Sequence, residues 1–179
     1  MLSSHDSRET VLSFVEEMGY VLSEEDAVKV YDSFMRIAEK KETVTRTELD
    51  TIIAAVAMQV PPTYKLINYV ISSSNALSAS AHIVIEKDGR NLEAVTLGDG
   101  PIDASFHAIE QIAGRHFELD DFTIRAVTEG REAMGETVVR LRSEGRVCSG
   151  RGISTDIVDS AIRAYLNALN KIVYEEAEA

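Results

Sequence analysis

Two glycine-rich stretches hold the residues of this chain best suited to chemistry. Gly98-Asp99-Gly100-Pro101-Ile102-Asp103-Ala104 closes a strand-like run and opens a helix-like one. Gly150-Arg151-Gly152-Ile153-Ser154-Thr155-Asp156-Ile157, 52 positions later, reads the same way. Glycine leaves room for a ligand against the backbone. The first N–H groups of a helix lack internal acceptors and carry a partial positive charge, so a carboxylate or phosphate fits there. Pro101 suits the first helical position, where its missing N–H costs nothing. The acids Asp99, Asp103 and Asp156 would repel a bare phosphate but receive an ammonium, so a zwitterion suits the mixture better than a nucleotide. On spacing alone the same stretches also read as plain strand-to-helix connections with caps, and that reading stays open.

Other chemistry is thinner. Gly98-Asp99-Gly100 lacks the third glycine of a dinucleotide fingerprint, hairpins stand where a βαβ unit is required, and no Gly-Lys-Ser/Thr follows. His5, His82, His107 and His116 show no metal-ligand spacing. Cys148 has no His or Asp near it in sequence and reads as a small strand residue. Asp120-Asp121 reads as a strand-start cap, with Asp121 also able to line a site. Arg140, Arg142, Arg146 and Arg151 alternate along one strand and its turn, as a solvated face or a subunit contact would.

The elements that must place the two stretches fall into two parts. Residues 8 to 57 read as three helices. Val11, Leu12, Val15 and Met18 form a stripe that Gly19 stops; Ser23-Glu24-Glu25-Asp26 starts the second helix, with Lys40 and Lys41 near its end; Thr45-Arg46-Thr47-Glu48 is a capping box for the third. Pro61-Pro62 breaks the pattern and marks the boundary between a helical segment, 1–60, and the remainder, 61–179. From Tyr64 the chain turns to β: strands at 64–72, 79–86 and 92–97, with an Asp88-Gly89 hairpin signal, then a helix from Pro101 to about Gly114. Strands at 119–128, 136–142 and 146–149 repeat the order, before a helix from about Thr155 to Tyr174 and a Glu-rich tail expected to be solvent-exposed or frayed. The fold class is therefore α+β: a helical segment followed by two pseudo-symmetric βββα units.

Composition narrows the partners. Thirty acidic residues against 18 basic give a net charge of −12, which repels nucleic acid, and 45% hydrophobic residues supply a real core. One cysteine, no signal-like start and no apolar stretch of spanning length point to a cytoplasmic protein without a membrane partner.

These residues, taken together with Leu119-Asp120-Asp121-Phe122, Gly135-Glu136 and Ala164-Tyr165-Leu166-Asn167-Ala168-Leu169-Asn170, resemble the C-terminal regulatory domain of 2-isopropylmalate synthase. The likeness runs from about Lys65 to Ile172, and Glu17 to Leu22, Phe34 to Lys41 and Val44 to Leu49 resemble the linker subdomains of the same family. The resemblance implies two βββα units that dimerise and bind the feedback inhibitor leucine between them. Closely similar domains of citramalate synthases take isoleucine, and a purely structural dimerisation module is the remaining alternative. The effector contacts it implies are Gly98, Asp99, Gly100, Pro101, Ile102, Asp103, Ala104, Asp121, Gly150, Gly152, Ser154, Thr155, Asp156 and Ile157. In the family, acetyl-CoA condenses with 2-oxoisovalerate in a TIM barrel that carries a divalent metal. This chain has no counterpart of the barrel or its histidines, so neither catalysis nor a cofactor is expected of this segment alone. A catalytic barrel, in the same or a separate chain, is the further partner implied. Where the family reads Gly-Lys-His-Ser-Gly-Arg, Ser3-Ser4-His5-Asp6-Ser7-Arg8 keeps only His5 and Arg8, and no role in a partner's active site is assigned to His5.

Overall fold

The computed structural model describes residues 1–179 except 19, 21, 58, 59, 129, 131 and 132, so the helix stop expected at Gly19 lies outside the described residues. Three short helices come first: α1 (Arg8–Glu17), α2 (Glu24–Ala38) and α3 (Arg46–Val56). Each begins at a hydroxyl cap. Ser7, Ser23 and Thr45 accept from the N–H groups of Thr10, Asp26 and Glu48, and at α3 Glu48 completes the capping box by accepting from Thr45 N. Lys41 does not serve the end of α2, as its position suggested. It pairs with Glu48, a fully buried carboxylate that also accepts from Thr128 Oγ1 at 2.7 Å. Burial alone would push Glu48 up, but Lys41, the Thr45 N–H and Thr128 together hold it below the usual carboxylate range.

Two βββα units follow. The first is β1 (Lys65–Ser72), β2 (Ala79–Lys87), β3 (Arg90–Gly98) and α4 (Pro101–Ala113). The second is β4 (Glu118–Ala126), β5 (Gly135–Ser143), β6 (Arg146–Ser154) and α5 (Ile157–Glu178). Each unit is an antiparallel three-stranded sheet in sequence order, and each carries a bulge at the same place in its first strand, Leu66/Asn68 and Leu119/Asp121. Tight hairpins at Asp88-Gly89 and Glu144-Gly145, with positive φ at both residues, fix the register of the second and third strands. The repeat is 56 positions from β2 through the helix start and 53 positions for the first strand, not the 52 that the two Gly-x-Gly runs suggested.

That difference overturns one expectation. Gly150 and Gly152 do not form a turn; they lie inside β6, which runs on to Ser154. A Cβ on Gly150 would stand 2.2 Å from Ala164 O, and one on Gly152 2.0 Å from Ser160 O. These glycines let α5 lie directly on the strand. The counterpart of Gly98 is Ser154, and the counterpart of the cap Gly100 is Asp156.

The inner faces of both sheets and both helices share one core, with Ile83 and Ile85 from β2, Val139 and Leu141 from β5, and Ile109, Tyr165 and Leu169 from the helices. Phe106 of α4 and Tyr165 of α5 pack with their rings tilted by 36° and 4.4 Å between centroids. Of the two states expected for the Glu-rich tail, the structure shows the solvent-exposed one. The helix continues to Glu178, and Glu176 accepts from Arg115 at 2.7 and 2.9 Å. The N-terminal helices build a second core around Phe34, Leu49 and Ile52, and draw in Met134 and Ile153 from the second unit. Asn170 of α5 ties the connection between the two parts, accepting from Thr63 N and Tyr64 N and donating to Tyr64 O. Among the described residues no helix is long and apolar enough to cross a membrane.

Candidate functional site

The head of α4 is the barer of two equivalent helix starts. Its cap is Gly100, which offers no side chain, and Pro101 has no N–H to satisfy. The N–H groups of Ile102 and Asp103 therefore have no capping acceptor. Asp103 turns back instead, and its Oδ2 accepts from Asp99 N at 2.9 Å. Gly98 makes this possible: a Cβ there would lie 2.3 Å from Ala104 N and 2.8 Å from Asp103 Oδ2. One turn on, His107 Nδ1 bonds Leu97 O at 3.0 Å while Nε2 lies 3.5 Å from Asp103 Oδ1. The Leu97 carbonyl, followed by Asp103, raises the imidazole above its ordinary pKa.

The head of α5 is closed at each corresponding point. Asp156 caps it, accepting from Val158 N at 2.8 Å and Asp159 N at 3.4 Å. Asp159, the counterpart of Asp103, is buried and receives three donors: Arg36 Nη1 at 2.8 Å, Arg163 Nε at 2.9 Å and Tyr69 OH at 2.9 Å. Burial would raise its pKa, but Arg163, Arg36 and Tyr69 together lower it. Arg36 comes from α2, so the helical segment fills this site. Nothing among the described residues plays that part at Asp103.

The strand beside each helix shows the same contrast. On β1, the inward residues Leu66, Tyr69 and Ile71 pack against the core. Their counterparts on β4 are Leu119, Phe122 and Ile124, of which Leu119 is 47% and Ile124 38% exposed. Phe122 alone is anchored, edge-on to Phe106 at 5.9 Å. An apolar wall is thus left open on the strand beside α4.

The candidates from the sequence separate on this map. Gly98, Asp99, Gly100, Pro101, Ile102, Asp103 and Ala104 stand together at the head of α4. Gly150 and Gly152 belong to helix packing, and buried Ser154 accepts from Asp156 N at 3.1 Å. Thr155, Asp156 and Ile157 form the head of α5, already capped. Asp121 faces away, because it pairs in register with Arg140 on the outer side of the sheet while Phe122 pairs with buried Val139. The neighbouring Asp120 is no strand-start cap; it accepts from Arg142 Nη2 at 3.0 Å at the bulge. Cys148 is buried in β6, and burial lifts its thiol to about 11, which keeps it protonated. Spacing did not find Phe122 and Ile124, whose signal was the alternation within 119–126, nor Arg36, whose partner lies 123 positions away. Among the described residues no three His, Cys, Asp or Glu side chains stand close enough to hold a metal.

The chain is 36% identical to the 2-isopropylmalate synthase of Clostridium kluyveri over 176 residues, 98% of this chain and 34% of that protein. It is equally identical to that of Carboxydothermus hydrogenoformans, over 98% of this chain and 35% of that protein. The 2-isopropylmalate synthase of Prochlorococcus marinus is also 36% identical over 98% of the chain and 33% of its own length. The chain therefore spans about a third of the length of the curated relatives it matches. Residues 43–173, which run from just before α3 through the first βββα unit and into α5 of the second, match the family described as LeuA allosteric (dimerisation) domain. With the duplicated architecture and the coverage of the relatives in agreement, the chain belongs to that family, as the regulatory C-terminal part of a 2-isopropylmalate synthase-like protein.

Proposed function

We propose that this chain is a homodimeric sensor domain that binds leucine as the feedback inhibitor of a cytoplasmic 2-isopropylmalate synthase-type enzyme. The observation that carries the reading is the asymmetry between the two helix heads. At α5 a buried Asp159 holds Arg36 under a capped helix, and at α4 the equivalent Asp103 stands open beside an uncapped one. An amino acid supplies the parts that α4 lacks. Its carboxylate accepts from Ile102 N and Asp103 N, where the helix dipole favours an anion. Its ammonium takes the place at Asp103 and Asp99 that a guanidinium takes at Asp159. Its branched side chain lies on Ile102, Phe122 and Ile124, the apolar wall that is open in the free chain.

The exposed first strands and the family's dimerisation role support a homodimer as the working form. The condensation of acetyl-CoA with 2-oxoisovalerate, with its divalent metal, is assigned to the remaining two-thirds of such an enzyme. Leucine inhibits there by binding one arrangement of this domain better than another. Titration calorimetry on the folded dimer tests the reading, with leucine expected to bind more tightly than isoleucine. Tighter isoleucine binding would move the chain to the citramalate synthase type. No heat with either amino acid at millimolar concentration would leave a purely structural dimerisation module.

A further inference from the structure

A cavity of about 400 Å³ lies where the helical segment meets the βββα units, between α2, α3, β1, β6 and α5. That volume suits a small organic ligand. Val56, Leu66 and Leu166 give it apolar walls. Its charges run against the rest of the molecule. In a chain of net charge −12, Lys29, Arg36, Lys65, Arg151 and Arg163 all line this space, and Asp32 is the one carboxylate among the described lining residues.

Not all five cations are free. Lys29 pairs with Glu25 at 2.8 Å, and Arg151 reaches Glu136 at 3.5 Å. Both Nη groups of Arg36 are engaged, donating to Asp159, Ser33 and Ile153 O. Burial, followed by the neighbouring Arg163, lowers the Arg36 guanidinium to about 10. Arg163 gives only its Nε to Asp159, and among the described residues its Nη groups have no partner. Lys65 Nζ likewise has none. The free Nη groups of Arg163, whose Nε is paired with Asp159, and the unpaired Lys65 therefore border an apolar space that has a surplus of positive charge.

We infer that this cavity is a binding site for a small carboxylate with an aliphatic body, held by Arg163 and Lys65 with its chain against Val56, Leu66 and Leu166. The site is separate from the head of α4 and calls for an anion without an ammonium, which the surrounding cations would repel. An occupant would touch both parts of the chain and fasten α2 and α3 to α5. Binding would thus stabilise the joint between the helical segment and the sensor units by mass action.

The test uses the whole chain and 3-methylbutanoate, with the isosteric 3-methylbutanamide as the uncharged control. Calorimetry and thermal unfolding are expected to show binding and a rise in Tm with the acid but not the amide. Arg163→Met and Lys65→Met should each weaken the acid at least about tenfold. Lys65 lies at an exposed strand position, so its variant carries the test if Arg163→Met does not fold. A Gly100→Asp variant, altered only at α4, should bind the acid as the parent does, so failure here and failure of the leucine reading are separable. Equal binding of acid and amide, unchanged affinity in the lysine variant, or no response at millimolar acid would each overturn the assignment.

Discussion

Asp103 and Asp159 are the third residues of α4 and α5, related by the internal repeat, yet their side chains are 47% and 5% exposed. The buried one is matched by Arg36, Arg163 and Tyr69, and the open one has His107 and a backbone N–H. Duplication supplied two similar helix heads. The N-terminal helices close one of them, and the other faces solvent beside an uncovered strand.

Substitution should separate the two carboxylates. Asp159→Ala leaves Arg36 without its buried partner and is expected to cost about 3 kcal/mol in urea unfolding. Asp103→Ala removes an exposed group and should change stability by no more than about 0.5 kcal/mol. In calorimetry Asp103→Ala should weaken leucine at least about tenfold, since a charge-assisted contact to the ammonium is lost. Loss of stability without loss of binding at Asp103 would make that residue a structural cap only.

The glycines of β6 offer a steric prediction. Gly152→Ala would put a methyl 2.0 Å from Ser160 O and 2.7 Å from Ala164 N, both backbone atoms of α5. The helix must lift off the strand, at a cost of about 3 kcal/mol. Gly135→Ala in the neighbouring strand meets only Ser154 O at 3.6 Å and should stay within about 0.5 kcal/mol of the parent. Comparing the two Tm values distinguishes helix packing from a general intolerance of side chains in this sheet.

Much of this architecture is legible in the amino-acid order. Alternation in 79–86 and 136–142, the Asp88-Gly89 turn, the Thr45 capping box and the Pro61-Pro62 break each act over a few residues, and periodicity reports them. The role of Gly150 and Gly152 was not legible. A glycine that opens a turn and one that admits a helix look identical in sequence, and only the 56-residue register tells them apart. Likewise the Arg36–Asp159 pair joins residues 123 positions apart, beyond any local pattern.

Acid stability follows chiefly from the two buried carboxylates among those held below their ordinary pKa values, Glu48 and Asp159. A depressed folded pKa contributes stability that is present above the unfolded value and lost as pH falls through the folded one. Stability should therefore decline as pH drops below about 4.5 for Glu48 and 3.8 for Asp159, their ordinary values, and keep declining below those points. Glu48→Gln and Asp159→Asn should flatten the acid limb of a plot of unfolding free energy against pH. An unchanged slope in both variants would place the proton uptake elsewhere.

Gly100 offers the most selective intervention, because its counterpart shows what a side chain there would do. Asp156 caps α5 through Val158 N and Asp159 N, and Gly100 stands at the same position with nothing within 4 Å of an added Cβ. Its backbone is extended, at φ −149° and ψ 175°, which aspartate adopts without strain. Gly100→Asp should therefore cap α4 as Asp156 caps α5, with a gain of up to about 0.5 kcal/mol in urea unfolding. The new carboxylate would occupy the N–H groups proposed for the effector's own carboxylate and repel it as well. Leucine affinity should fall at least about tenfold while the fold and the dimer are retained. A variant that stays folded and binds leucine as the parent does would show that the effector carboxylate does not sit at the head of α4.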